Sequence, residues 1–245
     1  MRVLDDPEEV YRAAAEEVAA RIAAAVSALG SCAIALSGGS TPRGLYLRLA
    51  EDGGARVPWD RVDVFWGDER HVPPDHPESN YRMAAEALLR RVAIPPARVH
   101  RIRAENPDAE AVARAYEEEI RVSFTARGRI DGRWPRFDLC LLGMGLDGHT
   151  ASLFPGSDAL HEVSRLVAAP WLPALGAYRF TLTPPVLNAA EAVIFVVTGA
   201  EKAAALASVL EGERRFDRHP SQLIRPVGGE LLWLVDGAAA DGLKP

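Results

Sequence analysis

The chain has 245 residues, 48% of them hydrophobic and 25% charged, which is the balance of a globular protein long enough to bury a sizeable core and excludes a disordered, fibrous or membrane-embedded chain. With 34 acidic against 28 basic side chains the net charge is −6, which argues against nucleic acid or an anionic membrane as a partner, so an anionic ligand would have to be caught locally. All the basic residues except Lys202 and Lys244 are arginine, and a lone internal lysine in such a background marks a position to follow.

Residues Met1 to Glu9 carry acids where a signal peptide would need a basic start, and no run of about 18 apolar residues occurs, so the expectation is a cytoplasmic protein. From Pro7 to Leu29 the residues Tyr11, Val18, Ile22, Val26 and Leu29 recur at steps of seven and four, which predicts a helix closed by Gly30. The apolar run Cys32–Leu36 predicts a buried strand, followed by the tight loop Ser37-Gly38-Gly39-Ser40-Thr41-Pro42 and a helix over Arg43–Ala50. Further buried strands are expected at Val62–Trp66, Asp138–Leu142, Val193–Val197 and Leu231–Val235, with helices over Asn80–Arg91, Asp108–Thr125 and Glu201–Leu210. Alternating strands and helices imply a mainly parallel sheet covered on both sides, here in one domain over residues 1–245. Residues 128–136 and 170–185 are the expected excursions from that sheet. Cys32 and Cys140 lie within apolar runs, as buried core residues would, and do not suggest a disulfide.

In such sheets ligands bind beyond the carboxyl ends of the strands, and the polar clusters of this chain follow strands. The loop from Ser37 to Pro42 combines two glycines that permit close backbone approach with the hydroxyls of Ser40 and Thr41 and a helix start that attracts anions; the plainer alternative is a capped turn, and a Walker loop is ruled out by the missing Gly-Lys ending. Gly67-Asp68-Glu69-Arg70-His71, with Asp75 to Tyr81 behind it, offers Arg70 as an anion clamp; a solvated loop is the plainer reading, and ligand spacing for a metal is missing. In Gly143-Met144-Gly145-Leu146-Asp147-Gly148-His149 a histidine two residues after an aspartate is placed to exchange protons with a bound molecule, or else to cap a turn. The chain has no G-x-S-x-G elbow, and Ser152 lies only three residues from His149, which argues against Ser-His-Asp catalysis. Arg179, Thr181 and Thr183 alternate along one stretch, Asn188 follows, and Lys202 sits at a helix start, where the dipole disfavours a cation unless an anion lies between them.

Four segments taken together resemble the 6-phosphogluconolactonases: Leu36 to Pro42, Trp66 to His71 with Pro77 to Asn80, Leu142 to Pro155, and Thr198 to Lys202. They stand in the family's order and span most of the chain. The resemblance implies a three-layer α/β/α sandwich with a mainly parallel, Rossmann-like sheet, and hydrolysis of 6-phospho-D-glucono-1,5-lactone to 6-phospho-D-gluconate without metal or organic cofactor. It also implies that Ser37, Gly38, Gly39, Ser40, Thr41, Arg179 and Lys202 bind the phosphate and sugar end, that Arg70 contacts an anion or the lactone, and that His149 is the general base with Asp147 beside it. The partner expected is a small-molecule substrate, with neither nucleic acid nor membrane, and the chain is expected to act as a monomer or weak homodimer. An amino-sugar phosphate deaminase is the nearest rival, but Arg70 replaces the aromatic residue those enzymes carry after Asp-Glu, and the residues after His149 differ. A non-enzymatic sugar-phosphate sensor would need an output module, and no basic helix-turn-helix segment precedes Pro7.

Overall fold

Every residue of the strands Cys32–Leu36, Val62–Trp66 and Ala192–Val197 is buried, which explains why their sequences show no polar alternation: both faces of the sheet are covered. The computed structural model describes residues 1–52 and 57–244. Among these, β1 (Arg2–Leu4) leads into α1 (Pro7–Leu29), β2 (Cys32–Leu36), α2 (Ser40–Asp52), β3 (Val62–Trp66), β4 (Asp68–Arg70), α3 (Asn80–Ala84) and α4 (Ala109–Ala126). The hairpin β5 (Ile130–Asp131) and β6 (Trp134–Pro135) precedes β7 (Leu139–Leu142). Then follow β8 (Val167–Ala168), β9 (Trp171–Leu172), β10 (Ala177–Leu182), α5 (Pro184–Asn188), β11 (Ala192–Val197), α6 (Ala203–Leu210), β12 (Glu230–Asp236) and α7 (Gly237–Ala240).

The main sheet has six strands in the order β1-β12-β11-β7-β2-β3, all paired in parallel. After β2 the chain moves outward to its neighbour β3, whereas after β7 it moves the opposite way to β11 and β12. The space beyond the carboxyl ends of β2 and β7 is therefore the switch point at which crossovers diverge and leave a crevice. A second, antiparallel sheet joins β4, β10 and β8, with β9 on β10; it accounts for the expected excursion at 170–185, as the β5–β6 hairpin does for 128–136.

The helix signals hold at α1: the Asp6 side chain accepts from the Glu9 amide at 2.9 Å, Pro7 begins the first turn, and Gly30 closes it at φ 78°. Three helices differ from expectation. α2 starts at Ser40, before Arg43, because Pro42 is compatible with a first turn whose amides need no intrahelical partner. The helix expected over Asn80–Arg91 is α-helical only to Ala84 and continues as a π-helical turn over Ala85–Leu89. The helix expected from Glu201 begins as a 3₁₀ turn, Ala200–Lys202, and becomes α-helical at Ala203. Strand β1 was not anticipated, since three partly exposed residues carry no pattern of their own and are recruited by pairing with β12. Cys32 and Cys140 are buried and unpaired with each other.

At the amino ends of β3 and β7, away from the crevice, Asp63 and Asp138 are buried among cations. Arg98 and Arg127 pair with Asp63, while Arg129 reaches Asp138 at 2.8 Å. His100 lies flat on Phe65, with ring centroids 4.3 Å apart, and bonds Glu119 at 2.9 Å with Asp63 at 3.5 Å. Burial alone would lower the His100 pKa, but hydrogen bonds to the two carboxylates outweigh it and raise the pKa to about 9. Relative to an unfolded value of about 6.5, this contribution to stability is full below that pH and is lost as pH rises through about 9. The urea midpoint should therefore fall over that window, and His100→Gln should flatten the fall; an identical pH profile in the variant would exclude His100 as its source.

Candidate active site

Loops from four adjacent strands, β11, β7, β2 and β3, converge at the switch point and enclose a cleft of about 370 Å³. Its walls include the Ser37–Pro42 loop, Arg70, the Gly143–Gly145 turn, His149 and Lys202.

The end of β2 is held by a tyrosine. Tyr46 on α2 is fully buried; its hydroxyl accepts from the Ser37 amide at 2.9 Å and donates to the Ser37 carbonyl at 2.8 Å. Tyr116 on α4 does the same for Trp66 at the end of β3, at 2.8 and 3.1 Å. Both backbone groups of each strand end are thus satisfied where the sheet ladder stops. Beyond Ser37 the chain runs past Asn80, and a Cβ on Gly38 would come within 1.8 Å of the Asn80 Oδ1, so glycine is required for this close approach. Ser37 Oγ is buried in the cleft wall without a partner among the described residues. The hydroxyls of Thr41 and Thr198 meet at 2.9 Å and tie the β2 and β11 loops together. On the β11 side the buried Asp236 carboxylate accepts from the Gly199 amide at 3.0 and 3.1 Å, fixing the turn that presents Lys202. Lys202 lines the cleft, with neither an ion pair nor a side-chain hydrogen bond among the described residues.

His149 Nδ1 bonds Asp147 Oδ1 at 2.5 Å, and the same oxygen accepts from the His149 amide at 3.1 Å. The ring stacks on Phe154 with centroids 4.1 Å apart. With Nδ1 engaged, Nε2 is the nitrogen left for a ligand. Partial burial would raise the Asp147 pKa, but its hydrogen bonds from His149 prevail and lower it, so Asp147 is an ionised partner that orients the ring. A Cβ on Gly145 would lie 2.0 Å from His149 Nδ1 and 2.8 Å from Asp147 Oδ1. Ala151, which lines the cleft, has φ 48°, a strained left-handed conformation that the surrounding structure holds in place beside the histidine.

On the β3 side, the antiparallel register puts Arg70 opposite Arg179 and Asp68 opposite Thr181. Neither arginine pairs with a carboxylate among the described residues; Arg70 Nη1 donates to the Glu78 carbonyl at 2.6 Å and Arg179 to the Tyr178 carbonyl at 3.1 Å. Burial, and then the Arg70 charge, holds the Arg179 pKa below the usual arginine value. Asp68 is buried and faces the cleft, with Oδ2 accepting from Ser152 Oγ at 2.9 Å and Oδ1 without a donor among the described residues.

The neighbouring Glu69 behaves differently. It accepts from the amides of Arg70, Asn80 and Tyr81 and from Ser79 Oγ, so it caps α3 and is structural; burial raises its pKa despite those donors. Arg179 lies beside Arg70 and outside the walls of the cleft itself, while Asp147 stands behind His149. Asn188 does not join them: its amide bonds the Leu223 carbonyl and the Arg225 amide. Sequence reasoning missed Tyr46 and Asp236, which carry no motif, and the bond of Ser152 to Asp68, which the Leu142–Pro155 segment does not reveal because its partner lies 84 residues away. Among the described residues no three His, Cys, Asp or Glu side chains converge as a metal would require.

Residues 5–233 match the family described as Glucosamine-6-phosphate isomerases/6-phosphogluconolactonase. The chain is 43% identical over 228 residues to a protein named 6-phosphogluconolactonase from Synechocystis, covering 93% of this chain and 91% of that one. A protein of the same name from Nostoc is 42% identical over 244 residues, covering 100% and 98%. A solved structure described as 6-phosphogluconolactonase from Trypanosoma cruzi superposes with a TM-score of 0.85 at 34% identity, covering 99% and 96%.

Two substitutions test this geometry. Tyr46→Phe strands the Ser37 amide and carbonyl and should destabilise the protein by about 1–3 kcal/mol in urea unfolding; no measurable change would show that the clamp is dispensable. Gly145→Ala should remove the downfield Nδ1 proton resonance of a carboxylate-bound imidazole while circular dichroism stays unchanged, and persistence of that resonance would contradict the crowding at Gly145.

Proposed function

The chain belongs to the glucosamine-6-phosphate isomerase/6-phosphogluconolactonase family, and from that premise we propose that it hydrolyses 6-phospho-D-glucono-1,5-lactone to 6-phospho-D-gluconate, with His149 as the general base. The observation that carries this reading is the His149–Asp147 pair set in a cleft whose cations, Arg70 and Lys202, have no carboxylate partner among the described residues.

A lactone is an activated ester, so one positioned base and stabilisation of the developing oxyanion suffice, without a covalent nucleophile. In this reading Lys202, the free first-turn amides of α2 and the unpartnered Ser37 hydroxyl hold the phosphate. That anchor aligns C1 with a water beside His149 Nε2. His149 takes the water proton as the oxygen–C1 bond forms, and Asp147 stabilises the imidazolium. Collapse of the tetrahedral intermediate breaks the bond from C1 to the ring oxygen, which receives the proton back from His149. The N–H groups of Arg70 not held by Glu78, with Arg179 alongside, stabilise the oxyanion or the product carboxylate. Asp68, with Oδ1 free, accepts from a sugar hydroxyl. Binding energy from the remote phosphate is thereby used for orientation, so an unphosphorylated lactone should lose kcat as well as affinity.

The test generates the phosphorylated lactone in situ with glucose-6-phosphate dehydrogenase and follows its disappearance above the spontaneous rate. Acceleration no greater than an unrelated protein gives would sink the assignment, and ammonia release from glucosamine 6-phosphate would point to the deaminase instead. His149→Ala should lower kcat by about 10²- to 10⁴-fold, and a folded variant with parental rate would remove His149 as the base. Lys202→Met should act mainly on KM; an unchanged KM would exclude Lys202 from the phosphate site.

A further inference from the structure

A second cavity, of about 470 Å³, lies between the π-helical turn and the segment that returns toward α4. We propose that it binds a phosphate ester carrying a planar ring, of the nucleoside monophosphate class, independently of what the first cleft hydrolyses.

Its size is within the range of small-ligand sites. Tyr81, Leu89, Ile94 and Val99 supply an apolar wall on which a ring can lie, and Arg90, Arg101 and Arg103 supply charge around it. These arginines are not equivalent. Arg101 forms two hydrogen bonds to Glu105, at 2.8 and 2.7 Å, and lies 5.6 Å from the centre of the Tyr81 ring. Glu119, the carboxylate of the lining, is engaged by His100 at 2.9 Å, a histidine whose raised pKa keeps it cationic at neutral pH. Arg90 and Arg103 have neither an ion pair nor a side-chain hydrogen bond among the described residues. Many other arginines of this chain behave otherwise: Arg12, Arg21, Arg48, Arg82 and Arg121 each sit on a carboxylate. Two guanidiniums without a hydrogen-bonded partner among the described residues, in a cavity that also offers apolar side chains, match a phosphate that carries a ring.

The wall itself carries a second irregularity. The Arg90 amide donates to the Ala85 carbonyl, five residues back, at 3.0 Å, so the π turn ends on Arg90 and both Ala85 and Leu89 line the cavity. Inserted π turns are disfavoured in a helix and are frequent at functional sites. Tyr81 also meets the edge of Trp66, with ring centroids 5.4 Å apart, and follows Asn80, whose side chain bonds the Asp68 carbonyl at 2.9 Å. An occupant touching Tyr81 therefore contacts the scaffold of the substrate cleft without entering it.

Calorimetric titration of the full chain with AMP tests the proposal, with adenosine and ribose 5-phosphate as probes lacking the phosphate or the ring. AMP should bind one to one, and each truncated probe should bind at least about tenfold more weakly. The double variant Arg90→Ala/Arg103→Ala should lose about tenfold or more in AMP affinity, as expected for charge-assisted hydrogen bonds, with lactone hydrolysis in the absence of AMP unchanged. Lys202→Met should bind AMP as the parent does, which separates this pocket from the first cleft. Absence of saturable binding at millimolar AMP, equal affinity in the double variant, or loss of AMP binding in Lys202→Met would each overturn it, as would ribose 5-phosphate binding as tightly as AMP to Lys202→Met.

Discussion

The site depends on what happens at Gly67. Its amide donates to the Leu36 carbonyl at 2.8 Å, continuing the parallel ladder of β3 on β2, while its carbonyl accepts from the Leu182 amide at 2.8 Å, opening the antiparallel ladder of β4 on β10. One residue thus hands the chain from one sheet to the other. The register that follows sets Arg70 against Arg179 and Asp68 against Thr181, beside the carboxyl end of β3. A parallel sheet alone would have contributed loops and helix starts; the added ladder contributes side chains whose backbone is fixed by pairing with β10, which is a more rigid platform.

Rigidity at the cleft has a second origin in the way its strand ends are terminated. Where the main sheet stops, its backbone groups need partners or water. Tyr46 and Tyr116 serve β2 and β3 with one hydroxyl each, Asp236 serves the turn after β11, and Glu69 serves the start of α3. All four are buried side chains from outside the loops they fix. In the cleft itself, Ser37 Oγ, Lys202, Asp68 Oδ1 and His149 Nε2 have no partner among the described residues. Charge is arranged differently at the two ends of the sheet: buried ion pairs gather at the amino ends of β3 and β7, and Arg70, Arg179 and Lys202 stand without a carboxylate among the described residues at the carboxyl ends. The first arrangement holds the fold together, while the second gains most when an anion arrives, since close like charges and partial desolvation disfavour the empty state.

The strands of the main sheet were legible because five of the six are apolar runs long enough to be read without context; only β1, three residues drawn in by β12, was not. Helix existence was legible and helix detail was not, as at the π turn after Ala84, where local propensity does not distinguish i→i−4 from i→i−5 bonding. The cleft loops were legible by their glycines and polar residues. The division of labour between Asp68 and Glu69 was not, because adjacent residues on a strand point to opposite sides and only the partners on each side decide which carboxylate lines the cleft and which caps a helix.

The sequence by itself determined the fold class, the loops that line the cleft and the family to which the chain belongs, because buried parallel strands and close-approach glycines leave local marks. Tertiary structure alone decided that Arg70 faces Arg179, that Asp147 orients His149 through a gap that Gly145 keeps open, and that Asn188 stays outside the site. Those outcomes rest on contacts between residues far apart in sequence or on space in three dimensions, and neither is encoded in any one segment.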